Sequence, residues 1–531
     1  MSDFVFRNGK GEAVFPVGLQ AHNSSTGEAL LGRAIEAVRA VGGNCLEAPV
    51  YWYLMEPEMD RYDFSHVKDL ICRAREAGLY LIILWFGTSK NGHPNYVPEY
   101  IKLHPETYRP AYGCDGAPLE ALSVHCGQTL ERDRKAFCRL MAFLRDFDSE
   151  ERTVLAVQVE NEMGYGGTDR DYGEAGEKAY LAPVPEALDG IATEGSGLEE
   201  QETREGLSPW KRRFGRYAGE AFSAWYTARY IEAIAEAGKQ VFELPMTVNV
   251  MVGENGFREA GLCYNAGAPV SRMLDIWKKA APAIDVIGPD IYRENRSVYE
   301  EICHSYDRED NSLFVPESPV QGEANALNLI LAAASGAIGL FCFGAEQLLD
   351  GEGNVSGDSR EIAVTLKTVA AMAPLLLKYR KTGKIHAFAE EEFEPDRYVR
   401  IPPWHVVAHF SRYLRMNYGY SPAMEDGTLQ TGQIRGRAIL VQTGDDEFYF
   451  GGTGVALDFV RIPEAGDERG YAHMNSRACS QLNFLSVEEG HFEDGAWVCD
   501  FRRNGDETNF SQYVLNGQVI RIRLNPAAGR P

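Results

Sequence analysis

A (β/α)8 TIM barrel followed by a C-terminal antiparallel β domain is the fold class this sequence predicts, and three observations predict it. From about residue 17 to residue 384, short apolar runs alternate with amphipathic ones, eight of each. Two of the apolar runs end abruptly on carboxylates, Val154-Leu155-Ala156-Val157-Gln158-Val159-Glu160-Asn161-Glu162 and Leu313-Phe314-Val315-Pro316-Glu317. Buried parallel strands do this when their C-terminal ends face a substrate. After Lys384 the pattern changes to short alternating runs broken by Gly, Asp and Asn, which is antiparallel-sheet patterning. A chain of 531 residues exceeds one hydrophobic core, so the barrel is assigned to 1–384 and the β domain to 385–531.

Each element follows from its own run. Strands are expected at 17–20, 45–50, 79–86, 154–159, 246–252, 286–292, 313–316 and 337–343, where the short apolar runs stand. Between them, apolar residues at helical spacing predict helices at 30–41, 67–77, 130–147, 210–242, 270–280, 298–306 and 324–334, with 362–379 after the last strand. A doubly wound sheet is the alternative, but no Gly-rich phosphate fingerprint follows the first strand. The stretch 165–208, rich in Gly and Glu, reads as an insertion forming a solvated flap with an ordered core. Runs at 437–442, 447–451, 482–487, 497–501 and 519–524 are the strands of a sandwich-like C-terminal domain.

Composition narrows the function. The net charge is 53 − 77 = −24, which argues against nucleic acid or an anionic membrane surface as partner. No basic segment leads into an apolar stretch at the N-terminus, and no stretch approaches the apolar length of a membrane span. Ten cysteines without a CxxC pair suit free thiols in a reducing, cytoplasmic setting. Cys114, Cys126 and Cys138 recur evenly, with His125 beside the second, but structural zinc sites use tighter pairs. No HxH pair follows the first strand, so neither a metal nor another cofactor is expected.

Barrel chemistry sits where strands end. Strand one runs into Ala21-His22-Asn23-Ser24, and strand three into Trp85-Phe86-Gly87 with Lys90-Asn91 beyond. Strand six runs through Asp290 to Tyr292, and strands four and seven end on Glu162 and Glu317. Two carboxyl groups are the minimum equipment for cleaving a glycosidic bond. Glu162 and Glu317 are therefore the catalytic candidates, although Glu162 also suits a helix N-terminus and Glu317 a proline-flanked turn. His22, Asn91 and Tyr292 can meet sugar hydroxyls. Trp52, Trp85 and Phe343 can offer aromatic faces to a pyranose, or simply pack. Glu160 reads as a structural carboxylate that salt-bridges inside the barrel, Glu56-Pro57 as a turn, and Glu346 as a reserve nucleophile.

On these residues the chain resembles glycoside hydrolases of clan A and, within it, the β-galactosidases of family 35. The string Gln158-Val159-Glu160-Asn161-Glu162-Met163-Gly164 is similar to that family's strand-four signature. Trp52 with Glu56-Pro57, Tyr62-Asp63-Phe64 and Leu79-Tyr80-Leu81-Ile82 add to the likeness, which spans 17–379. The resemblance implies retaining hydrolysis of terminal β-galactosides, with Glu162 as acid/base, Glu317 as nucleophile, and Asn161 on the sugar 2-hydroxyl. Such a mechanism needs carboxyls roughly 5–5.5 Å apart and a protonated Glu162; Tyr292 can donate to Glu317.

Three departures bear on the sugar. Thr88-Ser89-Lys90-Asn91-Gly92 replaces an Ala-Glu pair, Pro49 stands three residues before Trp52 where a tyrosine is usual, and Ser318-Pro319 follows Glu317. These changes resemble a microbial subset of family 35, with family 42 a near neighbour. A β-glucosidase or arabinopyranosidase of the same clan, and a non-catalytic sugar-binding barrel, are the alternatives. The expected partner is a carbohydrate. The β domain can bind sugar, close a neighbouring subunit's site in a homo-oligomer, or cap the barrel.

Overall fold

The computed structural model describes residues 4–24, 27–191, 207–253, 259–392, 394, 396–410, 435–462, 481–493, 495–503 and 512–527. Barrel strands β1 (Val17–Gln20), β2 (Cys45–Tyr51), β3 (Tyr80–Lys90), β4 (Val154–Asn161), β5 (Met246–Met251), β6 (Val286–Asp290) and β8 (Leu340–Phe343) pair in parallel, in the order β6-β5-β4-β3-β2-β1-β8. The seventh position belongs to 315–319, labelled β7. Ile291 N donates to Glu317 O at 2.8 Å, Phe341 N to Val315 O at 2.9 Å, and Phe343 N to Ser318 O at 2.9 Å, so β7 bridges β6 and β8 and closes the ring. Pro316 and Pro319 have no N–H to give. That is why β7 is held by single bridges where its neighbours form ladders.

The main helices alternate with the strands: α1 (Glu28–Ala40), α2 (Ser65–Glu76), α3 (Gly127–Asp148), α4 (Ala218–Val241), α5 (Leu274–Ala280), α6 (Arg296–Tyr306), α7 (Glu323–Ala334) and α8 (Arg360–Tyr379). Strand parity sorts the apolar residues into two cores. On β3, Ile82, Leu84 and Phe86 face the barrel interior, while Leu81, Ile83 and Trp85 pack outward with the helices. The interior floor is plugged by Phe6, from a small N-terminal hairpin, against Phe314 at 5.2 Å between ring centroids. Truncating a ring of this kind to alanine costs about 3–5 kcal/mol. Gly288 on β6 lets β7 come close, since a Cβ there would sit 2.7 Å from Pro316 Cδ.

The second domain comprises β9 (Ile385–Ala389), β10 (Asp396–Ile401), β11 (Trp404–Phe410), β12 (Arg437–Gly444), β13 (Glu447–Thr453), β14 (Val455–Arg461), β15 (Phe484–Glu493), β16 (Ala496–Arg502), β17 (Gln512–Val514) and β18 (Gln518–Leu524). They form two antiparallel sheets, β9-β12-β13-β18-β15-β16 and β10-β11-β14-β17. A core of Phe388, Trp404, Val406, Phe448, Phe459 and Ile520 lies between them. The larger sheet also packs on the barrel, where Ile439, Val441, Tyr449 and Val519 join the core that contains α8. Arg437 is buried at this seam, donating to Thr365 Oγ1 at 2.6 Å and pairing with Glu361 Oε2 at 2.8 Å.

One expectation is corrected by α8. Gly357–Tyr379 is long and apolar enough to cross a membrane, against the reading that no stretch is. Its apolar residues are instead buried between the barrel and the larger sheet. Within the 165–208 stretch, a helix (Glu174–Leu181) and a 3-10 turn (Glu186–Leu188) are formed. Arg170 lies over the rings of Tyr172 and Tyr180 and pairs with Glu177 at 2.6 Å. Residues 192–206 of that stretch lie outside the described residues.

Candidate active site

The end of β4 is strained. Glu160 and Glu162 both have positive φ, 63° and 45°, a region that non-glycine residues enter at an energetic cost and that clusters at functional sites. The two turns send the carboxylates to different places. Glu160 accepts from Thr88 N at 2.9 Å, Ser89 N at 2.7 Å and Thr88 Oγ1 at 3.1 Å, so it moulds the backbone at the end of β3. Behind it, Asp133 takes donors from Trp85 Nε1 at 2.9 Å and Tyr230 Oη at 3.0 Å. Burial and the Asp133 carboxyl hold the Glu160 carboxyl well above its ordinary range. Gly87 makes the arrangement sterically allowed, because a Cβ there would lie 2.5 Å from Glu160 Oε1 and 2.8 Å from Asp133 Oδ1. The salt bridge expected for Glu160 is not what holds it: its donors are two backbone N–H groups and the Thr88 hydroxyl.

Glu162 turns into the barrel mouth, and the mouth is crowded with acids. Glu162, Asp290 and Glu317 are all buried there. Asn249, on β5, ties them together. Its Oδ1 accepts from Glu162 N at 3.0 Å, while its Nδ2 donates to Asp290 Oδ2 at 2.8 Å and reaches Glu317 Oε1 at 3.4 Å. Asn265 Nδ2 donates to Glu162 O at 2.8 Å and clamps the turn from the other side. Tyr292 Oη donates to Glu317 Oε2 at 2.8 Å, although nearly half of that tyrosine faces solvent. Glu317 therefore has two donors aimed at its two oxygens. One layer deeper, Glu47 on β2 is fully buried and accepts from Gln20 Nε2 at 3.0 Å.

These acids cannot all be ionised in so small a space. Burial raises the Glu162 carboxyl to about 7, the Glu317 charge adds to the rise, and Lys90 opposes it. Burial, then Glu317 and Glu162, hold Asp290 well above the carboxylate range. Burial and Glu317 do the same to Glu47. The mouth thus pairs a carboxyl raised toward neutral pH, just past β4, with the Glu317 carboxyl group on β7, which two donors hold. That division of labour is what glycosidic bond cleavage by two carboxyls requires.

The other sequence candidates are distributed unevenly. Asn161 is fully buried beside Glu162; its Oδ1 takes a hydrogen bond from Lys90 Nζ at 2.8 Å, and its Nδ2 has no partner. Asn91 is at the exposed rim, accepting from Lys90 Nζ at 2.7 Å. His22 is also exposed, 5.7 Å from the Phe343 ring, and its backbone N–H is bound by Glu346 at 3.0 Å. Glu346 thereby fastens the end of β1, and no described hydrogen bond ties it to Glu162 or Glu317. Phe343 is half-buried beside Lys90.

Trp52 is a correction. It is completely buried in the outer core, donates Nε1 to Glu56 Oε2 at 2.7 Å and lies against Trp85, so no face of it is available to a sugar. Trp85 is buried in the same way. Strand parity points Trp85 outward to the helices, and Trp52 opens the short helix Trp52–Met55 that follows β2.

Sequence reasoning missed Asn249, Asp290, Glu47 and the role of Lys90. A polar residue at an inward position of a strand that is otherwise apolar on both faces is the signal that could have found the first three, as in Met246-Thr247-Val248-Asn249-Val250. Among the described residues no group of three His, Cys, Asp or Glu is arranged to hold a metal ion.

Comparison with known proteins places this geometry. Residues 25–238 match the family model of the glycoside hydrolase family 42 β-galactosidases, and residues 363–514 match a domain of unknown function, DUF5597. The catalytic domain of a β-amylase from Paenibacillus polymyxa is similar with a TM-score of 0.51 at 13% identity, covering 67% of this chain and 98% of that one. A β-galactosidase from the psychrophilic Marinomonas ef1 is similar with a TM-score of 0.50 at 13% identity, covering 68% of this chain and 60% of that one. At such identities the likeness is one of fold, and the match spans three-fifths of the Marinomonas enzyme. No curated protein matches the sequence. The match is to family 42, named above as the near neighbour, and not to family 35, and the departures at Pro49 and 88–92 fall inside the matched span. Over residues 25–238 this chain is similar to the family 42 β-galactosidases, and its fold is the barrel that the β-amylase and Marinomonas structures share.

Proposed function

We propose that the protein is a retaining exo-β-glycosidase acting on terminal β-galactosides, with Glu162 as general acid/base and Glu317 as nucleophile. The observation that carries this reading is the pair of buried carboxyls at the ends of β4 and β7, with Tyr292 and Asn249 donating to Glu317 and the Glu162 carboxyl raised to about 7 by burial and by Glu317. In the first step Glu317 attacks the anomeric carbon while Glu162 gives its proton to the departing glycosidic oxygen. Tyr292 and Asn249 hold the attacking carboxylate in place until its charge passes into the new bond. Loss of that charge lowers the proton affinity of Glu162, which then takes a proton from water as the water releases the sugar with net retention. Asn161 Nδ2, buried and without a partner in the protein, donates to the sugar 2-hydroxyl. The free thiols of Cys45, Cys303 and Cys342, all buried, support a reducing cytoplasmic setting.

The test is turnover of a panel of aryl β-glycosides by the wild type and by Glu317→Gly, with and without azide. The expected result is preferred cleavage of the galactoside, a dead variant, and azide rescue giving the inverted glycosyl azide. Near-normal turnover by Glu317→Gly would remove Glu317 from the nucleophile role and make Glu346 the next residue to test.

A further inference from the structure

We propose that Lys90 is a positioning residue: it fixes which end of the Asn161 amide meets the substrate, and it sets the charge balance of the acid cluster. The inference rests on the glycosidase reading above and extends it to a residue outside the carboxyl pair.

Lys90 is an unusual lysine. It is 5% exposed, whereas lysines are almost never buried without a partner. Its ammonium lies 5.4 Å from the centre of the Phe86 ring and 6.0 Å from that of Phe343, so two aromatic faces take the place of water around the charge. No carboxylate forms an ion pair with it among the described residues. Its hydrogen bonds go to two neutral amide oxygens, Asn91 Oδ1 at 2.7 Å and Asn161 Oδ1 at 2.8 Å. The segment that carries it is itself shaped by Glu160, through the N–H groups of Thr88 and Ser89.

An ammonium can only donate. Beside Lys90 the Asn161 side chain therefore has one allowed orientation, oxygen toward the lysine. The Nδ2 group is left fully buried with no partner in the protein. A buried donor without an acceptor is costly unless a ligand supplies one. The sugar hydroxyl opposite Asn161 does so, and a rotated amide would present it with the wrong pole. Lys90 also faces Glu162 together with Glu317, Asp290 and Tyr292, and among these it is the cation that favours release of the Glu162 proton. It acts on substrate only through these neighbours.

The experiment compares kcat/KM for an aryl β-galactoside with that for its 2-deoxy analogue in wild type, Lys90→Met, Lys90→Gln and Lys90→Arg, with folding checked by thermal unfolding. In the wild type the 2-hydroxyl should be worth a large rate factor. In Lys90→Met that factor should shrink by about tenfold or more, the size of one lost hydrogen bond to the substrate. The alkaline limb of the pH–rate profile should move to higher pH, because the charge opposing protonation of Glu162 is gone. Lys90→Arg should keep the limb near its wild-type position. If Lys90→Met does not fold, Lys90→Gln decides, since it fits a slot already lined by amides and should lose part of the same factor. An unchanged 2-hydroxyl factor in a folded neutral variant would overturn the proposal. A wild type inactive on every glycoside would instead sink the glycosidase reading on which it rests, so the two failures are distinguishable.

Discussion

The barrel mouth and the barrel–sandwich seam both bury charge, and they treat it in opposite ways. At the seam, Arg437 has its charge matched by Glu361 and its N–H groups taken up by Thr365, Glu361 and Arg435. In the mouth, Glu162, Asp290, Glu317 and Glu47 share a few donors from neutral side chains, and Lys90 spends its hydrogen bonds on amides. A satisfied buried ion holds two elements in register, while an under-compensated group of acids keeps protons that can be moved. The first arrangement serves stability and the second chemistry, so substitutions in the two places should separate the two properties.

The largest effect should come from Glu317→Gln. Turnover of the preferred glycoside should fall by on the order of 10^4-fold or more, as for removal of a nucleophile, while the midpoint of urea unfolding stays level or rises. A midpoint that falls steeply would mean that Glu317 belongs with the seam. Arg437→Met is the reverse case. It leaves Glu361 uncompensated and should cost about 3–5 kcal/mol in denaturant unfolding, with kcat/KM per folded molecule retained. Tyr292→Phe removes one of two donors to Glu317 and should lower kcat about ten- to a hundredfold with little change in stability.

The smallest effect sharpens the contrast by pH. Glu162 is raised to about 7, above its unfolded value near 4.5, so the native state binds the extra proton. Stability must therefore fall as pH rises from about 4.5 through 7, and the alkaline limb of the pH–rate profile must set in over the upper part of that window, as Glu162 loses the proton it gives. In Glu317→Gln the charge that raises Glu162 is absent, so its carboxyl should titrate at lower pH, as read by NMR of the labelled side chain. An unmoved titration would show that the two carboxyls are not coupled.

Periodicity made the barrel legible because its strands and helices alternate with little interruption, and the expected strand 79–86 is the core of β3. What periodicity could not show was that β3 continues to Lys90, since its last turn of chain is held by the carboxylate of Glu160, distant in sequence. It also could not assign faces. Both sides of a parallel barrel strand are apolar, so the outward parity of Trp85 and the inward parity of Asn249, Asp290 and Glu47 look alike until the ring is closed. Glu162 and Glu317 could be picked out because they stand at strand ends, where an acid after an apolar run is conspicuous. Asp290 stands at such an end too, and Tyr292 two residues later drew the reading away from it. The strand-four string pointed to the wider group of enzymes, whereas the likeness to family 42 rests on the span 25–238.

The helix α8 has a practical consequence for anyone who would take the protein apart. One of its sides completes the barrel, and the other is the bed on which the larger sheet lies. The second domain's family match begins at residue 363, inside this helix. A cut at 384 would therefore release a barrel with a wide greasy scar, and a cut before 360 would release one lacking its eighth stave. The two halves have separate cores but a shared wall, and an exchange of modules between such proteins would have to carry the wall along.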